Sequence, residues 1–245
     1  VFKTTDKGLT WTFVTATYNI GTVRAIAVHP ADPNTAYICP NGSIYKTTDG
    51  GVTWTQIMTS SNQWVNDIKI SAADPNIIIA ATNQGLKRSN NGGTSWTTII
   101  NNYAWTVAFK PDNANIVYTT VENGSSSTFY KSIDAGASFT PKTTGWYVPA
   151  SGENIYGVRI TVTHPPATII YALIGGDGDN LNGYVGVWKS TDAGETWTHP
   201  HGVVGKPYVF STHPNLMAHN GTDGFYQGFY DFAIIVSPND ANKLI

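Results

Sequence analysis

The octapeptide STDAGETW, residues 190–197, carries the pattern that decides the fold. Its hydroxyl, acid, glycine and closing aromatic return as TTDKGLTW at 4–11, TTDGGVTW at 47–54, SNNGGTSW at 89–96 and SIDAGASF at 132–139. The third positions are Asp6, Asp49, Asn91, Asp134 and Asp192, spaced 43, 42, 43 and 58 residues apart. A strand-rich unit repeating at about 40 residues is the sequence mark of a propeller or a similar array.

Working outward from each turn, the flanking sequence reads as strands. Upstream stand VRAIAVHPADPNTAYI (23–38), VNDIKISAADPNIIIA (65–80), WTVAFKPDNANIVYT (105–119) and VRITVTHPPATIIYAL (158–173), and DFAIIVSPNDANKLI closes the sequence at 231–245. In each, period-2 alternation predicts a first strand, the Pro/Asp/Asn cluster a turn, and the apolar run a second strand. The tripeptides IYK, LKR, FYK and VWK lead a third strand into the acidic turn, and a fourth strand follows the aromatic. The expectation is all-β: four-stranded antiparallel blades, partial at 1–22, complete over 23–60, 65–103, 104–145 and 157–201, and partial again at 231–245, with a long loop at 202–230. Because the sequence opens in a third strand and ends in a second, the expected whole is a larger propeller of seven or more blades. Closure of the two half-blades into a five-bladed ring is the alternative.

Bulk properties narrow the function classes. The 245 residues carry 14 basic and 16 acidic side chains, a net charge of −2, which supplies no basic footprint for nucleic acid. No apolar run approaches the roughly 18 residues of a membrane helix, so no membrane insertion is expected. Cys39 is single and excludes an internal disulfide; in AYICP it reads as a small core residue.

With five copies on the page, the turns resemble Asp-boxes, the bacterial neuraminidase repeats of pattern Ser/Thr-x-Asp-x-Gly-x-Thr-Trp. The longer unit is similar to the propellers of sortilin-type (VPS10-like) domains, family-74 xyloglucanases and photosystem II assembly factors. The resemblance implies a propeller whose boxes lie between third and fourth strands, away from the usual ligand face. Locally, the hydroxyl and the Asp carboxylate are suited to accept hydrogen bonds from turn amides. Gly8, Gly51, Gly93, Gly136 and Gly194 permit a backbone that other residues resist, and the final aromatic is expected between blades. Asn91 keeps the acceptor without the charge, which fits a structural turn and not acid–base chemistry.

The ligand face should therefore be the opposite one, formed by the fourth-to-first and second-to-third strand connections. Those connections are short at 56–64, 82–85 and 101–104 and swell at 121–128, 140–157, 174–186 and 198–230. Long connections in a compact repeat are usually functional or disordered. They carry Trp146, Tyr147, Tyr156, Tyr184, Phe225, Tyr226 and Tyr230, which suit sugar rings and peptide side chains alike. Packing of the loops on themselves is the alternative. Aligning the first strands on Pro30, Ala72, Pro111, Pro165 and Pro238 puts Arg24, Asn66, Trp105, Arg159 and Phe232 at strand starts, with Asp231 one residue earlier. These positions face either a ligand or a wet channel.

Enzyme readings can be tested against residue types. A sialidase gathers three arginines on a carboxylate; only Arg24, Arg88 and Arg159 exist, and Arg88 occupies the lysine column of Lys3, Lys46, Lys131 and Lys189. A xyloglucanase-like hydrolase needs two facing carboxylates, for which Asp223 and Asp231 in GTDGFYQGFYD are the candidates, with Glu122 and Glu153 also on that face. GGDGDNLNG offers Asp177 and Asp179 as calcium ligands, without the calcium-loop spacing; no other cofactor is expected. His199 and His201 lack a third zinc ligand. The reading that follows is a non-enzymatic propeller of a secreted or cell-surface bacterial protein. It would bind a glycan or a protein segment through aromatic-rich loops, alongside other domains of a longer chain. A polysaccharide hydrolase and a structural scaffold are the alternatives.

Overall fold

The computed structural model describes residues 1–14, 20–59, 62–166, 168–178, 181–202, 233–237 and 240–244, and within them every regular element is a strand. Two units divide at Asn101 and are taken in turn. The first unit opens with the short pair β1 (Phe2–Lys3) and β2 (Thr12–Phe13). Two four-stranded antiparallel meanders follow. One is β3 (Val23–Val28), β4 (Ala36–Pro40), β5 (Ser43–Thr47) and β6 (Thr55–Thr59). The other is β7 (Val65–Ile70), β8 (Ile78–Thr82), β9 (Gly85–Ser89) and β10 (Thr97–Ile100).

The second unit repeats the plan twice, with β11 (Ala104–Lys110), β12 (Asn113–Asn123), β13 (Ser126–Ser132) and β14 (Thr140–Pro141), then β15 (Asn154–Val162), β16 (Ile170–Gly178), β17 (Leu181–Ser190) and β18 (Thr198–Gly202). The pair β19 (Val236–Ser237) and β20 (Asp240–Leu244) ends it.

Second strands are continuous apolar runs because both faces are covered; all five residues of β8 are buried. The core of the first unit gathers Tyr37, Cys39, Ile44, Val65, Ile68, Ile78 and Ala80. Cys39 is fully buried, and that burial pushes its thiol pKa up, which makes it an inert core group. In the second unit the core is aromatic: Trp105, Tyr118, Phe129, Trp146, Tyr147, Trp188 and Trp197 pack around aliphatic β15–β17 residues.

The repeated turn has one geometry in all five copies. The first-position hydroxyl donates to the third residue's Oδ1 at 2.7–2.9 Å and accepts the glycine N–H at 2.8–2.9 Å. That Oδ1 accepts the seventh residue's N–H at 2.9 Å. Asn91 reproduces the scheme with its amide donating to Ser95 Oγ at 2.8 Å where the acids accept the Thr or Ser hydroxyl. The fourth and fifth residues are both left-handed, as at Ala193 (φ 58°) and Gly194 (φ 87°). A Cβ on Gly194 would stand 2.9 Å from the Phe129 ring, so close approach adds to the conformational need for glycine. Hydrogen bonds from Thr10 and Thr4 hold the Asp6 carboxyl at about 2, and those from Thr53 and Thr47 do the same for Asp49. At Asp134 and Asp192 desolvation is the largest single influence and opposes, but the hydrogen bonds from Ser138 and Ser132, and from Thr196 and Ser190, together prevail, again to about 2.

The turns at 47–54, 89–96 and 190–197 are also contacts between neighbouring sheets. Lys3 Nζ donates to Gly50 O at 3.2 Å, and Lys46 Nζ donates to Gly92 O at 3.2 Å. In the second unit Glu195 lies between Lys131 (2.7 Å) and Lys142 (2.6 Å), whose hydrogen bonds lower its pKa. Trp54 and Trp197 are buried as expected for box aromatics, Trp96 is half-buried, and Trp11 departs from the pattern at 60% exposed.

Candidate functional site

The first strands begin with a repeated irregularity. Pairing skips one residue between Val23 and Ala25, Val65 and Asp67, Ala104 and Thr106, and Ile155 and Gly157. The skipped residues are Arg24, Asn66, Trp105 and Tyr156. A bulge of this kind re-aims its side chain at the strand start.

Arg159 does not belong to this set. The last pairs of the first and second strands, Val28↔Ala36 and Val162↔Ile170, place Val158 opposite the position of Arg24 in the repeat. The alignment on Pro165 is one residue out because this turn, closed by Thr163 N to Ile169 O as the first is by His29 N to Thr35 O, has the same length but carries its proline one position later than Pro30. A one-residue slip exchanges sheet faces, so Arg159 corresponds to Ala25. Its Nη1 donates to Trp105 O at 2.8 Å, which ties β15 to β11.

Two of the swollen connections are not loops. Residues 121–128 extend β12 and β13 as a ladder through Asn123↔Ser126, and 174–186 extend β16 and β17 through Gly178↔Leu181. Ala104↔Val121 and Asn154↔Asp177 show that both hairpins rise at the ends where β11 and β15 start. Ile155 N donates to Ser125 O at 2.8 Å, which seats the first hairpin's tip on the start of β15. Around that point Asn123, Ser125 and Asn154 are exposed, Tyr103 is half-buried and Tyr156 is 42% exposed.

The connection 140–157 is closed. Trp146 turns back through Trp146 N to Thr143 O (3.0 Å), and Trp197 N donates to Thr144 O (2.9 Å). Gly145 sits so near that a Cβ would lie 2.0 Å from Trp197 O. Trp146 is buried at ring distances of 5.6 Å from Phe129 and 4.7 Å from Trp197, with Nε1 donating to Ser127 O at 3.1 Å. Tyr147 packs 5.1 Å from Trp188 and donates its OH to Glu153 Oε2 at 2.7 Å. Burial, then the adjacent carboxylate, pushes the Tyr147 hydroxyl pKa up. Trp105, Trp146 and Tyr147 therefore correct the binding expectation: each is at most 6% exposed and serves as core. Glu153, 2% exposed, likewise leaves the set of acids open to a ligand, since Tyr147 and the Ala150 N–H occupy Oε2.

In the first unit Arg24 is exposed, with Cζ 5.0 Å from the centroid of the Trp64 ring. Trp64, 46% exposed, is the residue that the sequence reading missed. Its place two residues before Asn66 matches that of Tyr103 before Trp105, so the repeat column was its signal.

Asp223, Phe225, Tyr226, Tyr230 and Asp231 lie outside the described residues, as does Asp179. Asp177 and Tyr184 are placed by backbone register only, opposite Asn182 and Gly175 in the β16–β17 hairpin. Among the described residues no group of three His, Cys, Asp or Glu side chains could hold a metal ion.

Four-stranded antiparallel meanders, each carrying the repeated turn between its third and fourth strands, define the class: this is a β-propeller fold, as the turn spacing implies. The family model described as "Sortilin, neurotensin receptor 3" matches residues 1–88. No curated protein matches the sequence. Among solved structures, an ancestral GH74 enzyme superposes with a TM-score of 0.59 at 20% identity, over 81% of this chain and 28% of that one. The GH74 xyloglucanase from Xanthomonas campestris gives 0.59 at 18% identity, over 81% and 34%. The Niastella koreensis GH74 enzyme gives 0.54 at 22%, over 72% and 30%. The chain thus spans about a third of the length of these enzymes, and the likeness is one of fold.

Proposed function

We propose that this chain is a non-catalytic carbohydrate-binding propeller of a secreted or cell-surface bacterial protein. The observation that carries the reading is the raised rim of the second unit. There the β12–β13 and β16–β17 hairpins stand above the starts of β11 and β15, and the Tyr156 ring is exposed at the β15 bulge. An aromatic surface bordered by neutral amides and hydroxyls, here Asn123, Ser125 and Asn154, suits the C–H faces and hydroxyls of sugar rings. That one solved neighbour in fold is a xyloglucanase agrees with a polysaccharide ligand.

The test is a glycan array probed with the wild-type chain and with Tyr156→Ala, beside an assay for released reducing ends. Binding without release, lost in Tyr156→Ala at unchanged thermal stability, is the expected result. Release of reducing ends would make the chain a hydrolase. Binding to protein and to no glycan would move the ligand to a peptide segment, and no binding at all would leave a scaffold.

A further inference from the structure

We propose that Arg24 and Trp64 form a subsite for an acidic sugar residue, with Arg24 taking the carboxylate of a uronate and Trp64 its pyranose ring. The proposal deepens the carbohydrate-binding reading and rests on it, but its residues lie in the first unit, apart from Tyr156.

The argument starts from the arginine. Arg24 occupies the β3 bulge, where its backbone has no cross-strand partner and its side chain leaves the sheet at the strand start. Its guanidinium stacks on Trp64 at 5.0 Å and, among the described residues, makes no ion pair and no hydrogen bond. Four lysines of this unit are engaged: Lys69 with Asp67, Lys3 and Lys46 with turn carbonyls, Lys87 with Thr98. Stacking fixes the plane of a guanidinium while leaving its N–H edge free, which suits bidentate capture of a planar carboxylate.

The tryptophan is held as firmly. Trp64 N donates to Asn83 Oδ1 at 2.5 Å and Trp64 O accepts Asn83 N at 3.0 Å. The Asn83 amide also donates to Asn62 O at 2.9 Å. Asn62, two residues before the ring, is left-handed at φ 58°, so the turn leading to Trp64 is shaped by backbone and not by burial of the ring. An indole 46% exposed on such a rigid turn costs little to order when a ligand arrives. Asp67, three residues after Trp64, is paired with Lys69 at 2.7 Å. A ring beside a free cation asks for a ligand with an apolar face and a carboxylate on the same residue, which a uronate supplies.

Isothermal titration of the full chain with oligogalacturonate and with its methyl-esterified form tests the assignment. Wild type is expected to prefer the free acid, and raised salt to erode the preference. Arg24→Gln should weaken acid binding about tenfold or more, the scale of a charge-assisted bond, and leave the ester unchanged. Trp64→Ala should weaken both. Since both side chains are exposed, melting temperatures of the variants serve as the folding control. Equal affinity for acid and ester, or an acid affinity indifferent to Arg24→Gln, overturns this subsite while leaving carbohydrate binding standing. Stronger binding of a poly-glutamate peptide with the same Arg24 dependence overturns the uronate in favour of an acidic protein. Loss of every glycan, neutral ones included, overturns both readings.

Discussion

Truncating Trp146 to alanine separates the two roles its sequence context allows. Its side chain is 6% exposed and fills the space between Phe129 and Trp197, at ring distances of 5.6 and 4.7 Å. Removal of a buried Trp from such a site costs about 3–5 kcal/mol, from lost transfer energy and the cavity left behind. Ser127 O and Oγ, both at 3.1 Å from Nε1, lose their donor, which adds about 1 kcal/mol. For a protein of this size each kcal/mol lowers the midpoint by roughly 2–4 °C. Trp146→Ala should therefore melt about 8–24 °C below wild type, followed by calorimetry and by near-ultraviolet circular dichroism. Trp146→Phe keeps a ring against Phe129 and Trp197 and gives up the Nε1 bonds, so its loss should be about a third as large. Binding of any ligand that wild type binds should survive in both variants below their transitions. A Trp146→Ala protein as stable as wild type but unable to bind would refute the reasoning and restore Trp146 to the ligand face.

Three further expectations follow from the turns. Asp192→Ala, which deletes acceptors for Ser190, Glu195 and Thr196, should cost about 1–2 kcal/mol after allowance for its exposure, whereas Asp192→Asn should cost under about half of that because Asn91 already closes its turn as an amide; chemical denaturation of both variants decides. Glu195→Gln leaves the largely buried Lys131 ammonium without its carboxylate and should cost about 1–2 kcal/mol, with Lys131→Met restoring part of it in the double variant. Asp6, Asp49, Asp134 and Asp192 are held at about 2, below their unfolded values, so their stabilisation is complete above the ordinary carboxylate range and disappears as pH falls from about 4 to about 2; Asp192→Asn should flatten that acid limb, and an unchanged slope in a pH series of melts would count against the turn bonds.

The fold was legible because each turn closes on itself. A hydroxyl, an acid two residues on and a glycine after that satisfy one another's amides within eight residues, so the motif needs no tertiary context to be recognised. The apolar second strands were legible for the same local reason. The rim was not. ENGSSST and GGDGDNLNGYVG read as loops because a hairpin that rises clear of the core has no apolar alternation to announce its strands. Trp146 and Tyr147 read as open aromatics because their burial depends on Trp197 and Trp188, some 40 to 50 residues away. The slip at Arg159 came from a proline standing one position later in a turn of unchanged length, invisible until the ladder fixed the register. Trp64 was overlooked as a lone aromatic in a polar stretch, and only its partner Arg24 gives it meaning.

The disposition of the acids bears on catalysis. A glycosidase needs two carboxylates free to face one bond. Here the turn acids are closed by their own hydroxyls and amides, and Asp32, Asp74 and Asp240 cap the amides of Asn34, Asn76 and Asn242. Asp67, Asp112 and Glu195 hold lysines, and Glu153 holds Tyr147. Among the described side chains Glu122 alone is a carboxylate with no such partner, and the candidate pair Asp223 and Asp231 lies outside the described residues. The basic side chains are distributed in the opposite way, because the engaged lysines leave Arg24 exposed and stacked on an open indole. In the first unit the guanidinium of Arg24, stacked on the exposed Trp64 ring, presents a cation and an apolar face side by side, the pairing that an anionic ligand with a flat apolar surface requires.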